Sequence, residues 1–389
     1  MSKHKYFHST RFRTLRSNSR IYATMTSTPD LVSWTAEPHG RGTMGLLWSC
    51  FATIFLCTWS AIHPNLPGVN ESQVRTFWRR ISHVVGCLVA PEYYGLDALL
   101  SLAGARTVQA QTPGWPLRKC FYLIMGGFIV EHDSGEEKHR KFMKPEYLIE
   151  LCTQKKIPWP EVDEDDIDDR SKADGLVKLL ALTQISWFVI QSIGRAAQGL
   201  AVTTVELFTL GIVVWAVMIY IVLWQKPFDV QRPTVVYLKG SEFEDVIKRD
   251  PDVKRVSFIN NSSTTRNDDL WSIGIGIVVS LGFAALHVVA WQFHFSTTAE
   301  LWLWRVSSVL CTLTPLFIAM LLGRETLMVP QPGTSTEMET STAVMVFILG
   351  IIYTIGRIYM FVEMFISLRA VPSSVYETPQ WSQYFPSFG

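Results

Sequence analysis

TAVMVFILGIIYTIGRIYMFVEMFI, residues 342–366, is a run of 25 residues whose only charged side chains are Arg357 and Glu363. A helix rises about 1.5 Å per residue and the hydrocarbon core of a bilayer is about 30 Å thick, so a run this long and this apolar is read as a membrane span. Six further runs read the same way: 44–63, 82–103, 176–194, 204–224, 270–292 and 302–323. With 48% hydrophobic residues, 14 Trp and 22 Phe, the composition excludes an ordinary soluble domain. The predicted fold class is all-α: a polytopic transmembrane helical bundle of about seven spans over 44–368, with a cytosolic loop insert.

An eighth run, CFYLIMGGFIV (120–130), is too short to cross and reads as an interfacial or re-entrant piece. Seven spans would put the termini on opposite sides of the membrane. With a cytosolic N-terminus, the leader 1–43 and the loops 104–174, 226–269 and 324–340 hold 27 Lys and Arg residues, against five on the other side. That imbalance predicts a lumenal C-terminal tail, 369–389. The sequon at Asn70 would then be glycosylated, and those at Asn260 and Asn261 would not. The expected location is the endoplasmic reticulum, as a multi-pass protein.

Residues 1–24 are rich in Arg and Ser and lack Asp and Glu, which resembles a mitochondrial presequence; since Met25 offers an alternative start, they read instead as an upstream extension or a disordered tail, and the leader 1–43 as disordered. VVYLKG (235–240) and VKRVSFIN (253–260) read as short strands of a small cytosolic insert. Cys50, Cys57, Cys87, Cys120, Cys152 and Cys311 show no metal-ligand or redox spacing and read as small buried hydrophobes. Neither a cofactor nor a metal is expected. The alternative is the acidic run around Asp165, Asp166 and Asp169, which has the DDxxD spacing that holds Mg²⁺ against a diphosphate. Its other reading is a solvated loop leading into a helix capped by Ser171 and Asp174.

The chemistry-bearing candidates are four carboxylates in or at apolar runs, costly there without a partner or a task. Glu92 follows Pro91, which frees a backbone carbonyl. Asp97 lies five residues on, and either could pair with Arg79, Arg80 or Arg106 instead. Glu206 stands at the start of a span, where a carboxylate also suits the helix dipole. Glu363 sits among aromatic and aliphatic residues, with Tyr359 one turn before it and Arg357 nearly two. His287 reads as an interhelical hydrogen-bonding group. The aromatics Phe51, Trp187, Phe188 and Trp215 either pack the bundle or turn π faces toward a cation.

Several stretches resemble a large family of fungal multispan membrane proteins: GLLWSCFATIFLCTWSAIHPNLP (45–67), IDDRSKADGLVKLLALTQISWFVIQSIGR (167–195), WQKPFDVQRP (224–233) and EMFISLRAVPSSVYETPQWSQYFP (363–386). The full DDxxD departs from that family's pattern. The family in turn resembles the membrane-bound terpene cyclases of the ascochlorin, ascofuranone and macrophorin pathways, although no catalytic motif is carried over. The resemblance implies a terpene cyclase of the isomerase or lyase class. It would cyclise a hydrophobic prenylated (meroterpenoid) substrate or its epoxide by acid initiation, with the lipid bilayer as its surroundings and no nucleic acid. On that reading Glu92 and Glu363, supported by Asp97 or Glu206, share one polar pocket. The competing expectation is a non-enzymatic polytopic protein: a transporter, receptor or scaffold.

Overall fold

The computed structural model describes residues 30–37, 41–68, 71–133, 138–162, 164–169, 174–238, 266–328 and 340–381. The leader 1–24, Met25, Asn70, Ser171, Asn260, Asn261 and the expected strand 253–260 lie outside the described residues.

After a two-residue strand β1 (Leu31–Val32), helix α1 (Thr43–Ala61) runs to the prolines at 64 and 67, which cannot continue it. The expected span 82–103 is divided between α2 (Gln73–Val89) and α3 (Pro91–Gln111), because Pro91 favours the first position of a new helix and Ala90 leaves helical geometry. A mixed segment follows: α4 (Leu117–Ile124), β2 (Phe128–Asp133), β3 (Lys138–Phe142), α5 (Pro145–Thr153) and α6 (Glu164–Asp169). Then come α7 (Asp174–Ala197), α8 (Thr204–Val222), β4 (Thr234–Tyr237), α9 (Arg266–Val289), α10 (Thr298–Met328), α11 (Thr340–Ile366) and β5 (Val371–Pro372).

Six helices, α1, α7, α8, α9, α10 and α11, are long and apolar enough to cross a membrane. Their outward faces are themselves apolar: Leu176, Leu179, Ile190 and Ile193 on α7, Val306 and Phe317 on α10, and Phe347, Ile355 and Ile358 on α11 are exposed. A soluble protein does not display such a belt, so the chain is a multi-pass membrane protein. Helix α8 is the central post, with Phe208, Ile212, Trp215, Ala216 and Ile219 buried.

Helices α2 and α3 double back on each other. Arg79 and Arg80 of α2 donate to the carbonyls of Asn65 and Trp59 at the end of α1, whereas the carbonyls of Leu88 and Val89 reach Arg357 inside the bundle. From there α3 descends along α8: the Pro91 carbonyl accepts from Trp215, Gly95 lies against Met218, and Asp97 acts electrostatically on Lys226 beyond the end of α8. His83 meets the Tyr94 hydroxyl at 3.3 Å, a contact that a straight helix eleven residues long would forbid. The run 82–103 thus enters and leaves the bundle at one end.

The piece 120–130 is divided between a short helix and a strand. It forms α4 and the start of β2, joined by a turn in which Gly126 has φ +89° and a Cβ on Gly127 would lie 2.4 Å from the Tyr122 carbonyl oxygen. Strand β2 pairs antiparallel with β3 and parallel with β4, so segments on either side of α7 and α8 close into one three-stranded sheet. The strand expected at 235–240 is β4.

At the opposite end, β1 pairs antiparallel with β5, Leu31 against Pro372 and Val32 against Val371. Segments near both chain ends therefore share one side of the bundle, which corrects the expectation that they lie on opposite sides.

Candidate functional site

The four candidate carboxylates do not share one pocket. Glu206 sits at the start of α8 in a capping box: its Oε2 accepts from the Thr203 backbone N–H and hydroxyl, each at 2.9 Å, while the Thr203 hydroxyl accepts from the Glu206 N–H. Oε1 receives Arg41 Nη2 at 2.6 Å and lies 3.8 Å from Arg195 Nε. Arg195 is 0% exposed and donates to the carbonyls of Ala201, Ser374, Val375 and Glu377. Every oxygen lone pair of consequence is engaged, so Glu206 is a lock between the start of α1, the end of α7 and the C-terminal segment.

Asp97 lies at the other end of the bundle, buried near Lys226 rather than Arg79, Arg80 or Arg106. Burial pushes the Lys226 ammonium below its usual range and the Asp97 charge partly restores it. Arg80 instead pairs with Asp229 at 3.0 Å, and Arg79 with Glu71.

Glu92 and Glu363 border one aromatic cluster, each through a tyrosine of α11. Tyr353 donates to Glu92 Oε2 at 2.6 Å, and Tyr359 donates to Glu363 Oε2 at 3.4 Å. Tyr353 belongs to a buried group with Leu207, Ala290, Phe295, Trp304, Cys311 and Met360, and Tyr359 packs against the same group. The carboxyls are still separated: Tyr353 and Glu363 stand ten residues apart on one helix, about 15 Å along its axis.

Between them Arg357 turns away from Glu363. Its Nε and Nη2 donate to Val89 and Leu88, the last carbonyls of α2, and its Nη1 donates to His287 Nε2 at 3.0 Å. Since His287 Nδ1 lies 3.0 Å from the Phe283 carbonyl, that nitrogen carries the hydrogen and Nε2 is the acceptor. The guanidinium also lies over Phe208, Phe283 and Tyr353 at 4.8–6.0 Å. Those π faces already hold a cation. His287 is the interhelical group the sequence suggested.

Glu363 is left in a different state from the other three. It is 2% exposed, its Oε1 has no hydrogen-bond partner, and the nearby Arg369 pairs with Glu300 instead. Of the mid-run aromatics, Phe188 and Trp215 are buried packing groups, while Phe51 and Trp187 face outward. Asp165 and Asp166 are exposed on the short helix α6, and among the described residues no group of three His, Cys, Asp or Glu is placed to hold a metal. The six cysteines are free and buried.

Three successive stretches of the chain, 18–111, 100–267 and 262–388, match a family of unknown function (DUF8562). The chain belongs to that family. No curated protein and no solved structure matches it. Since the DUF8562 match runs through the hairpin, the sheet and all six long helices, it applies to the whole assembly rather than to one part of it. Sequence reasoning missed Tyr353 as the partner of Glu92. The signal was present, since Tyr353 and Tyr359 are the polar-tipped aromatics of the run 342–366.

Proposed function

We propose that the chain is a membrane-embedded terpene cyclase that starts ring closure on a hydrophobic prenylated substrate, or its epoxide, by protonation from Glu363. The observation that carries this reading is the Glu363 carboxyl, buried in an apolar helix with Oε1 unpartnered and no cation bonded to it. Glu206 and Glu92 are held by bonds that a proton donor would have to break. In the acid form Glu363 gives its proton to an epoxide oxygen or an alkene carbon. With the epoxide, the C–O bond breaks, the π pair of the next alkene closes the ring, and the final cation either loses a proton to a base or is captured by water, which then loses its proton to a base. Phe295 and Trp304, in the cluster that includes Tyr359, offer π faces to the cation, and the apolar surroundings delay its capture by water.

The same reading places the α4–β2–β3–β4 unit in the cytosol. Its side of the bundle, residues 62–174 without the spans, 226–269 and 324–340, carries 23 Lys and Arg, against nine on the side of the two termini. Residues 62–68 lie on that basic side beside Asp229 and Met125.

Microsomes carrying the wild type, Glu363→Gln or Glu92→Gln, supplied with a prenylated phenol and with its epoxide, test the proposal. Glu363→Gln is expected to lose turnover by about 10²-fold or more with insertion unchanged, and Glu92→Gln to retain most of it. The second reading, a non-enzymatic transporter or scaffold, is favoured by the number of buried charges that only lock helices, Arg195, Glu206 and Arg357 among them. It prevails if the wild type turns over neither the prenylated phenol nor its epoxide, whereas equal turnover by Glu363→Gln and the wild type removes Glu363 as the proton donor.

A further inference from the structure

Where α1 ends, the hairpin enters and α8 leaves the bundle, Asn65, Thr76, Arg79, Arg80, Asp229 and Gln231 line a small cleft. The local chain is basic: residues 64–80 and 226–233 hold Arg75, Arg79, Arg80, Lys226 and Arg232 against Glu71 and Asp229. Arg80 is 8% exposed and fixed on three sides, by Asp229 at Nη1, by the Trp59 carbonyl at Nη2, and by the rings of Trp59 and Phe228 at 4.1 and 4.7 Å. Its Nε–H nevertheless has no acceptor. Lys226, 2% exposed and next to the lining rather than in it, makes one long bond of 3.4 Å to Oδ1 of the lining residue Asn65 and leaves further hydrogens to give. Asp229 holds the rim with φ +54°, a conformation with a backbone cost that Asp tolerates better than most residues.

We propose that this cleft binds the phosphate of an anionic phospholipid headgroup, with Arg80 Nε and Lys226 as donors. A buried guanidinium hydrogen without an acceptor costs about 1–3 kcal/mol, and a phosphate oxygen supplies the charged acceptor it lacks. The position favours a lipid as the source, because the cleft lies at the end of three membrane-associated helices, on the side that carries the greater number of Lys and Arg. Basic pockets between helices on that side are where anionic headgroups are found. The inference rests on the orientation and not on the cyclase reading.

The full-length protein is placed in phosphatidylcholine nanodiscs with and without phosphatidic acid, and thermal unfolding and lipid retention by native mass spectrometry are followed. Thr76→Glu places a negative charge at the cleft in the first turns of α2, where the helix dipole favours an acid, so the fold is kept. Phosphatidic acid is expected to stabilise the wild type saturably, and Thr76→Glu and Lys226→Met each to weaken retention by about tenfold. Equal retention by the wild type and Thr76→Glu overturns the proposal. Equal stabilisation by inorganic phosphate in phosphatidylcholine alone overturns the lipid as the source. Turnover that does not depend on Glu363, with lipid retention intact, would strike the Glu363 cyclase reading only.

Discussion

Glu206 illustrates how an expensive residue can be recognised in a sequence while its purpose stays hidden. A carboxylate in an apolar run signals a partner, but Arg41 stands 165 residues before it and the carbonyls that hold Arg195 lie about 180 residues beyond that arginine. Removing one member of such a buried group leaves the others uncompensated. Glu206→Ala is therefore expected to destabilise the detergent-solubilised protein by about 3–5 kcal/mol, read as a lowered unfolding midpoint. His63, just past α1, makes a separate prediction. Burial, reinforced by Lys178, Lys226 and Arg80, pushes it down to about 3, and its Nδ1–H is given to the Ala61 carbonyl. The unfolded chain takes up a proton at its ordinary value near 6.5 and the folded chain does not, so stability is full above that value and declines as pH falls toward 3. The slope from this group is about 1.4 kcal/mol per pH unit, and His63→Gln should flatten it in unfolding measurements between pH 6 and 4.

At the scale of elements, the apolar runs identified all six long helices with near-correct limits, and the structure divides the seventh run between two helices. The run 82–103 has the length and apolarity of a span, and only Pro91 marks the break; whether a proline kinks a helix or reverses the chain depends on what receives the freed carbonyls. Here Arg357 and Trp215 receive them, from helices more than 120 residues away. The secondary structure of 120–130 was hidden for a related reason: a buried helix followed by a buried strand is continuously apolar, and composition alone does not show where one gives way to the other. The hairpin makes a direct prediction. Arg75 and Gln111 are both exposed, on α2 and α3, so cysteines introduced there should react with an impermeant maleimide from the same side of sealed vesicles. Labelling from opposite sides would restore 82–103 as a span. Arg357→Met should loosen the hairpin, costing about 2–4 kcal/mol, because the Leu88 and Val89 carbonyls and His287 Nε2 lose their donor inside an apolar bundle.

At the scale of the whole molecule, the sheet β3–β2–β4 ties the segment after α3 to the segment after α8, so these two stand at one end of the bundle. Reading 82–103 as a crossing places the leader with them. In the structure the Arg41 N–H donates to the Tyr376 carbonyl, Arg41 reaches Glu206, and the Thr43 hydroxyl meets the Tyr376 hydroxyl at 2.9 Å, all on the side where β1 meets β5. On the proposed orientation, six crossings and one hairpin keep both ends there, and the 23-to-nine excess of Lys and Arg on the other side assigns that end to the lumen. A glycosylation sequon appended before Met1 and another appended after Gly389 should therefore both be modified in microsomes, with the natural site at Asn70 left bare. Modification of only one appended sequon would require an odd number of crossings and undo the hairpin. Modification of Asn70 alone would keep the architecture and invert it in the membrane, which would move the basic cleft to the lumenal leaflet.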